Sequence, residues 1–256
     1  MRELFQMWSN TRMVVLTAMC ASLYAAVLIP FMVVPLIPGV THFRPANALP
    51  VVCSFLFGPA AAWGAAFGNL IADFFGGLGP GDLFGFLGNF LYALVPYRLW
   101  RACGAGDPPP TTPGGLALLF LVIGTAGMLC AVTVGFGLQI LGFVPFAVLA
   151  NVVLVNNVVT SVVLAPLLLG TLYPRVWRAR LLYRDVLGPG PRRSRPLRAV
   201  AVVMVVAGTG LAFALGNLAA TGWQVSLVPA TLSMNGRLAV AVLPGWLLAV
   251  VGLALL

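Results

Sequence analysis

Polar side chains recur at helical spacing inside long apolar stretches of this sequence. Asn69 and Asp73 are four residues apart and therefore share one face of a predicted helix. Asp82, Asn89 and Tyr92 fall on one stripe of the helix that follows. Carboxylates and amides supply hydrogen-bond donors and acceptors that can pair with the ring atoms of a small polar heterocycle. This pattern predicts a binding site for a small polar molecule.

A polar group within a membrane span must find a partner in the protein or line a water-filled cavity. We therefore predict one solute site at the outer end of the helices, which consists of Arg44, Asn47, Asp73, Asp82, Asn89 and Asn151. The alternative is that such groups only join helices, each contributing roughly 0.6–2 kcal/mol. Arg44 serves either a ligand acceptor or an ion pair with an aspartate, and the sequence leaves both open.

The residue types needed for common enzymatic sites are missing. The chain contains no Lys, so the P-loop motif of ATPases is impossible. Its single histidine, His42, excludes a site with several histidine ligands. The four cysteines, at 20, 53, 103 and 130, form no CxxC pair. We predict a protein that is not an enzyme and that holds no cofactor or metal.

The elements that carry these residues are predicted from composition. Hydrophobic residues make up 61% of the chain, charged residues 7%, and the mean hydropathy is +1.05. Soluble domains keep roughly a quarter of their residues charged, so this chain belongs in a lipid bilayer. Recurrent apolar runs predict an all-α polytopic membrane protein with eight spans, at 13–36, 47–58, 59–77, 82–100, 116–138, 145–171, 198–219 and 238–256.

The arginines predict the orientation of these spans. All 14 basic residues are Arg, and alternating the spans puts twelve on one side and only Arg44 and Arg237 on the other. The positive-inside rule then predicts both termini in the cytoplasm and the solute site open to the outside of the plasma membrane. Eight arginines between positions 175 and 198 suit a segment beside anionic headgroups, and we expect no nucleic acid partner.

The same segment divides the chain in composition. The part before it is dense in Gly, Asn and Pro, and the part after it is rich in Val, Ala and Leu. We predict a six-span substrate-binding domain over 1–174, an Arg-rich cytoplasmic linker over 175–197, and two additional transmembrane helices over 198–256.

Two stretches carry a resemblance to a known family. The opening TRMVVLTAMCASLYAAVLIP includes an AxxxA motif at Ala21 and Ala25, and a second stretch begins FRPANALP at Phe43. Together with a Pro-Ala-Ala turn and GLGPGDLFG, these resemble the substrate-binding S component of an energy-coupling factor (ECF) vitamin transporter. The likeness covers residues 11–171 and is greatest for the queuosine-precursor type. One departure is Asn47, because that type carries an acidic residue after the FR pair.

The resemblance implies a six-helix bundle and a set of partners. In that family the S component captures a scarce small molecule, while a transmembrane coupling protein and two cytoplasmic ATPases supply the driving force. Carried over to this chain, Ala21 and Ala25 dock the coupling protein, and the loop from Gly39 to Arg44 closes over the ligand. A membrane sensor and a structural or assembly protein without a ligand are the alternative functions.

Overall fold

The computed structural model describes residues 2–37, 41–104, 106–108, 110, 112–188, 194–221 and 232–256. The helices in these ranges are α1 (Arg2–Gln6), α2 (Thr11–Leu28), α3 (Ala48–Phe57), α4 (Pro59–Gly76), α5 (Asp82–Ala102), α6 (Pro113–Ile140), α7 (Phe146–Arg178), α8 (Tyr183–Leu187), α9 (Arg195–Ala220) and α10 (Met234–Leu255). Short 3-10 turns cover Met7–Ser9, Ile29–Val33 and Pro45–Asn47. Two short strands are β1 (Pro35–Ile37) and β2 (Thr41–His42).

Local sequence explains where several helices begin. The Asn10 side chain accepts the backbone N–H groups of Arg12 and Met13 at 3.0 and 3.3 Å, which caps α2. Thr112 and Ser233 cap α6 and α10 in the same way, each through the N–H three residues on. Between α3 and α4, Gly58 has a φ of +52°, a conformation that glycine adopts without strain, and a proline then starts α4.

The prediction of an all-α membrane protein is confirmed. Five described segments are long and apolar enough to cross a membrane, namely Thr11–Val33, Pro113–Ile140, Phe146–Leu187, Arg195–Ala220 and Met234–Leu255. The other three predicted spans are helices α3, α4 and α5, at the predicted positions. With ten residues, α3 is about 15 Å long and cannot cross a bilayer core of about 30 Å alone. It packs instead among α4, α5 and α7, with nearly all its side chains buried.

Two features differ from the sequence expectations. Strands β1 and β2 pair antiparallel, with Pro35 opposite His42. Strand β1 lies at the predicted end of the first span, and β2 lies in the predicted covering loop. Gly39, in the predicted covering loop, lies outside the described residues. Helix α7 continues to Arg178 and α9 already begins at Arg195, so both ends of the predicted linker are helical.

Small residues allow α2 and α4 to pack closely. A Cβ atom at Gly68 would lie 2.7 Å from the carbonyl oxygen of Ala21, so only glycine fits there. Ala21 and Ala25 are 5% and 3% exposed. The sequence predicts these alanines as a docking face for a partner, whereas in this arrangement their side chains lie inside the chain's own bundle.

The two C-terminal helices pack on each other and on the bundle. A Cβ atom at Gly208 would lie 2.7 Å from the Gly245 carbonyl oxygen, and the reverse distance is the same. The α9–α10 pair then packs along α6, with further contacts to α5 and α7. The Trp246 indole N–H donates to Thr133 Oγ1 at 2.9 Å. The pair is therefore docked along the bundle.

Candidate solute-binding site

A cavity of about 500 Å³ lies at one end of the bundle, where the segment after β2, the α4–α5 loop and the α6–α7 turn meet. Its volume is in the range of small-molecule sites. Its polar lining comes from Arg44, Asn47, Asn69, Asp73, Asp82, Asn89, Asn156 and Asn157. Its apolar lining includes Val134, Leu138, Phe143, Leu149 and Val153.

Five of the six residues predicted for the site line this one cavity: Arg44, Asn47, Asp73, Asp82 and Asn89. They come from α4, α5 and the segment before α3, so the fold brings together residues up to 45 positions apart.

Asn151 does not line the cavity. Its amide donates to the Ala147 carbonyl and to Asn217 Oδ1 of α9, both at 2.6 Å. Successive residues of an α-helix are rotated by about 100° around its axis. Asn151 is two residues from each of the cavity residues Leu149 and Val153 and therefore lies about 200° around α7 from them. Its inclusion in the predicted site is corrected for this reason.

Among the lining residues outside the predicted set, four carry an amide or a thiol: Asn69, Cys130, Asn156 and Asn157. Asparagines inside apolar runs give a sequence signal, since each needs a polar neighbour in the membrane. Asn69 shares a helical face with Asp73, but the sequence does not show that Asn156 and Asn157 face the same cavity, because that depends on how α7 packs. Cys130 gives no such signal, because a thiol is equally suited to apolar packing.

Asn47 is the centre of a buried polar layer beneath the cavity. Its Oδ1 accepts the Tyr24 hydroxyl at 2.9 Å, and its Nδ2 donates to Asn157 Oδ1. The same Tyr24 hydroxyl lies 3.0 Å from Asn89 Oδ1. The Asn47 carbonyl accepts the Ser161 hydroxyl at 3.2 Å. These bonds join α2, α5 and α7 and fix the amides of the cavity floor.

Asn156 holds the chain segment that borders the cavity. Its Oδ1 accepts the Arg44 backbone N–H at 3.2 Å, and its Nδ2 donates to the His42 carbonyl at 3.0 Å. One side-chain amide thus both donates a hydrogen bond to the backbone and accepts one from it, as the backbone of a neighbouring strand would. The position of β2 relative to α7 depends on this residue.

Arg44 contacts the acidic groups indirectly. Its Nη1 donates to Asn69 Oδ1 at 2.9 Å, and Asn69 Nδ2 donates to Asp73 Oδ2 at 2.5 Å. Within the described part of the chain, no ion pair joins Arg44 to Asp73 or Asp82. The Arg44 Nε is buried and has no hydrogen-bond partner among the described residues. The described residues therefore leave the guanidinium of Arg44 incompletely hydrogen-bonded.

Asp82 also orders the loop beside the cavity. Its Oδ2 accepts the Gly79 backbone N–H at 2.7 Å. Asp82 and the nearby Asp73 both line the cavity. With two carboxylates, one guanidinium, several amides and apolar side chains in its lining, the cavity can take a small ring with polar edges. Over the described ranges, no group of three or more His, Cys, Asp or Glu could hold a metal ion.

The fold and this cavity define a helical membrane protein with an internal site of solute size. The family model described as the QueT transporter matches residues 14–174 of the chain. The chain belongs to the QueT transporter family, which indicates membrane transport of a small solute. This is a family of transporters and not of enzymes. No curated protein and no solved structure matches the chain. Helices α9 and α10 lie beyond the matched residues.

Proposed function

We propose that this protein is the membrane-embedded binding subunit of an ECF transporter and that it takes up a queuosine precursor or a similar small heterocycle. The observation that carries the proposal is the convergence of Arg44, Asp73, Asp82 and the surrounding amides on a cavity of about 500 Å³. In this proposal the cavity opens to the cell exterior, and both chain termini lie in the cytoplasm of a plasma-membrane protein.

The lining explains how such a solute is held. Side-chain amides both donate and accept, so Asn69, Asn89 and Asn157 can pair with the N–H and C=O groups at the edge of a planar ring. The carboxylates accept ring or amino N–H groups, and the guanidinium of Arg44, which lines the cavity, donates to a solute acceptor. The apolar lining residues Val134 and Val153 contact the ring face.

The energy source lies in the proposed partners. The chain has no Lys and hence no P-loop, so two cytoplasmic ATPases and a transmembrane coupling protein supply the driving force. We propose that the coupling protein docks on the outer face of α2, where Ala18, Ser22 and Ala26 are exposed one helical turn apart. This face replaces the buried Ala21 and Ala25, since small exposed residues permit close helix approach in lipid.

The proposal is tested on the purified full-length protein in lipid nanodiscs. Small molecules released on denaturation are identified by mass spectrometry, and the affinity for queuosine precursors is measured by calorimetry. We expect a bound heterocycle and a clear loss of affinity in Asp82→Ala. Asp107→Ala, which removes a carboxylate from a different loop, is the control and should bind like the wild type. If the wild type retains and binds no heterocycle, the proposed substrate class is wrong.

Co-purification tests the partners separately. Expressed in its native host with an affinity tag, the protein should bring down two ATPases and one further membrane protein. Recovery of the protein alone under conditions that preserve solute binding would contradict the ECF assignment and favour a membrane sensor.

A further inference from the structure

We propose that Asn217 and Asn235 of the C-terminal helix pair are positioning residues for the cavity, which they influence by holding the α6–α7 turn (residues 141–145). Both lie outside the matched family region, so they add a function to helices that the six-helix plan does not account for. The inference rests on the proposed function in one respect, namely that the cavity binds a solute.

The first link runs through Gln139, in the last turn of α6. Its Oε1 accepts the Phe146 backbone N–H at 2.8 Å, and its Nε2 donates to Asn235 Oδ1 of α10 at 3.2 Å. The Phe146 N–H is at the start of α7 and has no partner within its helix. Gln139 therefore closes the turn by capping α7, and Asn235 fixes which way the Gln139 amide faces.

The second link lies just past the other end of the turn. Asn151 Nδ2 donates to Asn217 Oδ1 at 2.6 Å, and Asn217 Nδ2 is itself tied to the Phe213 carbonyl at 2.9 Å. Phe146 is fully buried, and a Cβ atom at Gly216 would lie 2.7 Å from its ring. Helix α9 thus contacts the first two turns of α7 through one hydrogen bond and one close aromatic contact.

The turn between these links borders the cavity. Gly142 and Phe143 line it directly, and the Phe143 N–H donates to the Leu138 carbonyl at 2.9 Å. Across the cavity edge, a Cβ atom at Gly81 would lie 3.8 Å from the Phe143 ring. A shift of the turn would therefore change the distance between Phe143 and the α4–α5 loop, and with it the shape of the cavity edge.

The rest of the pair is anchored far from the turn, which makes it a fixed reference. Trp246 is bonded to Thr133 along α6, and Arg98 Nη1 donates to the Leu253 carbonyl at 2.6 Å at the other end of α10. Asn235 is exposed and precedes the last predicted span, so water can satisfy its amide without an interhelical bond. Its bond to Gln139 therefore positions the turn and is not needed to satisfy a buried group.

The test compares wild-type protein with Asn217→Ala, Asn235→Ala and the double variant, all in nanodiscs. Hydrogen–deuterium exchange of the backbone amides of residues 141–144 and 146 reports the order of the turn without any ligand. Removing both bonds should speed this exchange about tenfold and weaken binding of a queuosine precursor about fivefold, as expected for one or two lost hydrogen bonds. Trp246→Phe, which removes a bond of the pair far from the turn, should leave both unchanged.

A double-mutant cycle adds a readout that general destabilisation does not produce. Because Asn151 and Asn217 act through the same bond, Asn151→Ala should have little further effect on turn exchange in the Asn217→Ala background. Unchanged turn exchange in the Asn217→Ala, Asn235→Ala double variant overturns the inference. Faster exchange in that variant with unchanged affinity for a queuosine precursor overturns it too. If the wild type binds no queuosine precursor, the proposed function fails and the exchange data alone decide whether the pair positions the turn.

Discussion

Two polar clusters lie at opposite ends of α5 and differ in how their groups are satisfied. One is the cavity cluster, to which α5 contributes Asp82 and Asn89. The other surrounds Arg98, sixteen residues after Asp82 and hence about 24 Å further along the helix. Both contain charged groups within the bundle, so composition alone does not distinguish them.

The Arg98 cluster is closed. Arg98 is 1% exposed, and its guanidinium donates to Glu3 Oε1 at 2.7 Å, to the Leu253 carbonyl at 2.6 Å and to the Tyr97 hydroxyl at 3.2 Å. The Tyr97 hydroxyl in turn donates to Glu3 at 3.0 Å. Burial opposes ionisation of Glu3, but Arg98 and Arg101 outweigh it and hold the pKa of Glu3 below its ordinary value. Every charge here has a partner from the chain itself.

The cavity cluster is open by comparison. Among the described residues, Arg44 Nε has no partner and Asp73 is held by one amide, and the lining amides border a volume large enough for a solute. The Arg98 cluster joins α1, α5 and α10 and stabilises the fold. The cavity cluster leaves polar groups that can bind a solute. The comparison therefore assigns a structural role to the polar groups at the Arg98 end of α5 and a solute-binding role to those at the cavity end.

The largest expected effect is on stability, from Glu3→Gln. This substitution leaves Arg98 buried without a counter-charge, which typically costs about 3–5 kcal/mol. We expect a marked fall in the thermal unfolding temperature with no specific change in solute affinity of the folded fraction. Asp185→Asn, which neutralises an exposed carboxylate, should unfold like the wild type. A Glu3→Gln protein as stable as the wild type would contradict the structural role of the Arg98 cluster.

The ion pair between Glu3 and Arg98 also predicts how the free energy of unfolding depends on pH. The folded-state pKa of Glu3 lies below the unfolded value near 4.5, so its contribution is complete above that pH and is lost as pH falls through the lower folded value. Unfolding temperatures measured from pH 7 down to pH 3 should decrease for the wild type in this acidic window. The decrease should be smaller for Glu3→Gln, which has no group there to titrate.

At the cavity end, Asp82→Ala and Asn89→Ala should each weaken solute binding about tenfold. This corresponds to roughly 1.4 kcal/mol for one lost polar contact. Their folded yields should stay close to that of the wild type, and calorimetry with chromatography measures both quantities. Normal folding together with wild-type affinity in both variants would return these residues to the role of joining helices.

A smaller effect is expected from Asn156→Ala, which releases the segment before α3. Two hydrogen bonds to the His42 carbonyl and the Arg44 N–H are lost, while most of the cavity lining remains. Solute dissociation should be about fivefold faster in stopped-flow measurements. Thr160→Val removes a hydroxyl one turn away that bonds only to α7 itself, so its dissociation rate should be unchanged.

The smallest effect on solute binding is expected from Ser22→Leu with Ala26→Leu, on the outer face of α2. Affinity should be unchanged, while recovery of the partner complex and solute uptake decrease. The matched double variant Ala21→Leu with Ala25→Leu overfills a buried interface and should lower stability, typically by about 1–3 kcal/mol for each site. Normal uptake in the outer-face variant would contradict the proposed docking surface.

The sequence predicted the helices and much of the cavity, because both depend on rules that act locally. Apolar runs give the helices, and Asp73, Asp82 and Asn89 stand out as polar groups at helical spacing. What failed depends on packing. Asn151 lies on the face of α7 that meets α9, and Ala21 faces Gly68 of α4, which no spacing within one helix reveals.

The Arg98 cluster shows the same limit. Arg98 and Arg101 are among the twelve arginines that the sequence predicts on the cytoplasmic side, a role that does not require a partner. The structure brings Arg98 together with Glu3, 95 residues earlier, and with the end of α10. Such a long-range ion pair depends on tertiary packing of three separate helices.

The most direct test of the central claim is the affinity of the wild type and of Asp73→Asn with Asp82→Asn for queuosine precursors in nanodiscs. Both carboxylates line the cavity, and the amides keep its shape while removing its negative charge. We expect wild-type binding that the double variant weakens by about tenfold or more, with unchanged thermal unfolding. Equal affinities in the two proteins would contradict the assignment of this cavity as the solute site.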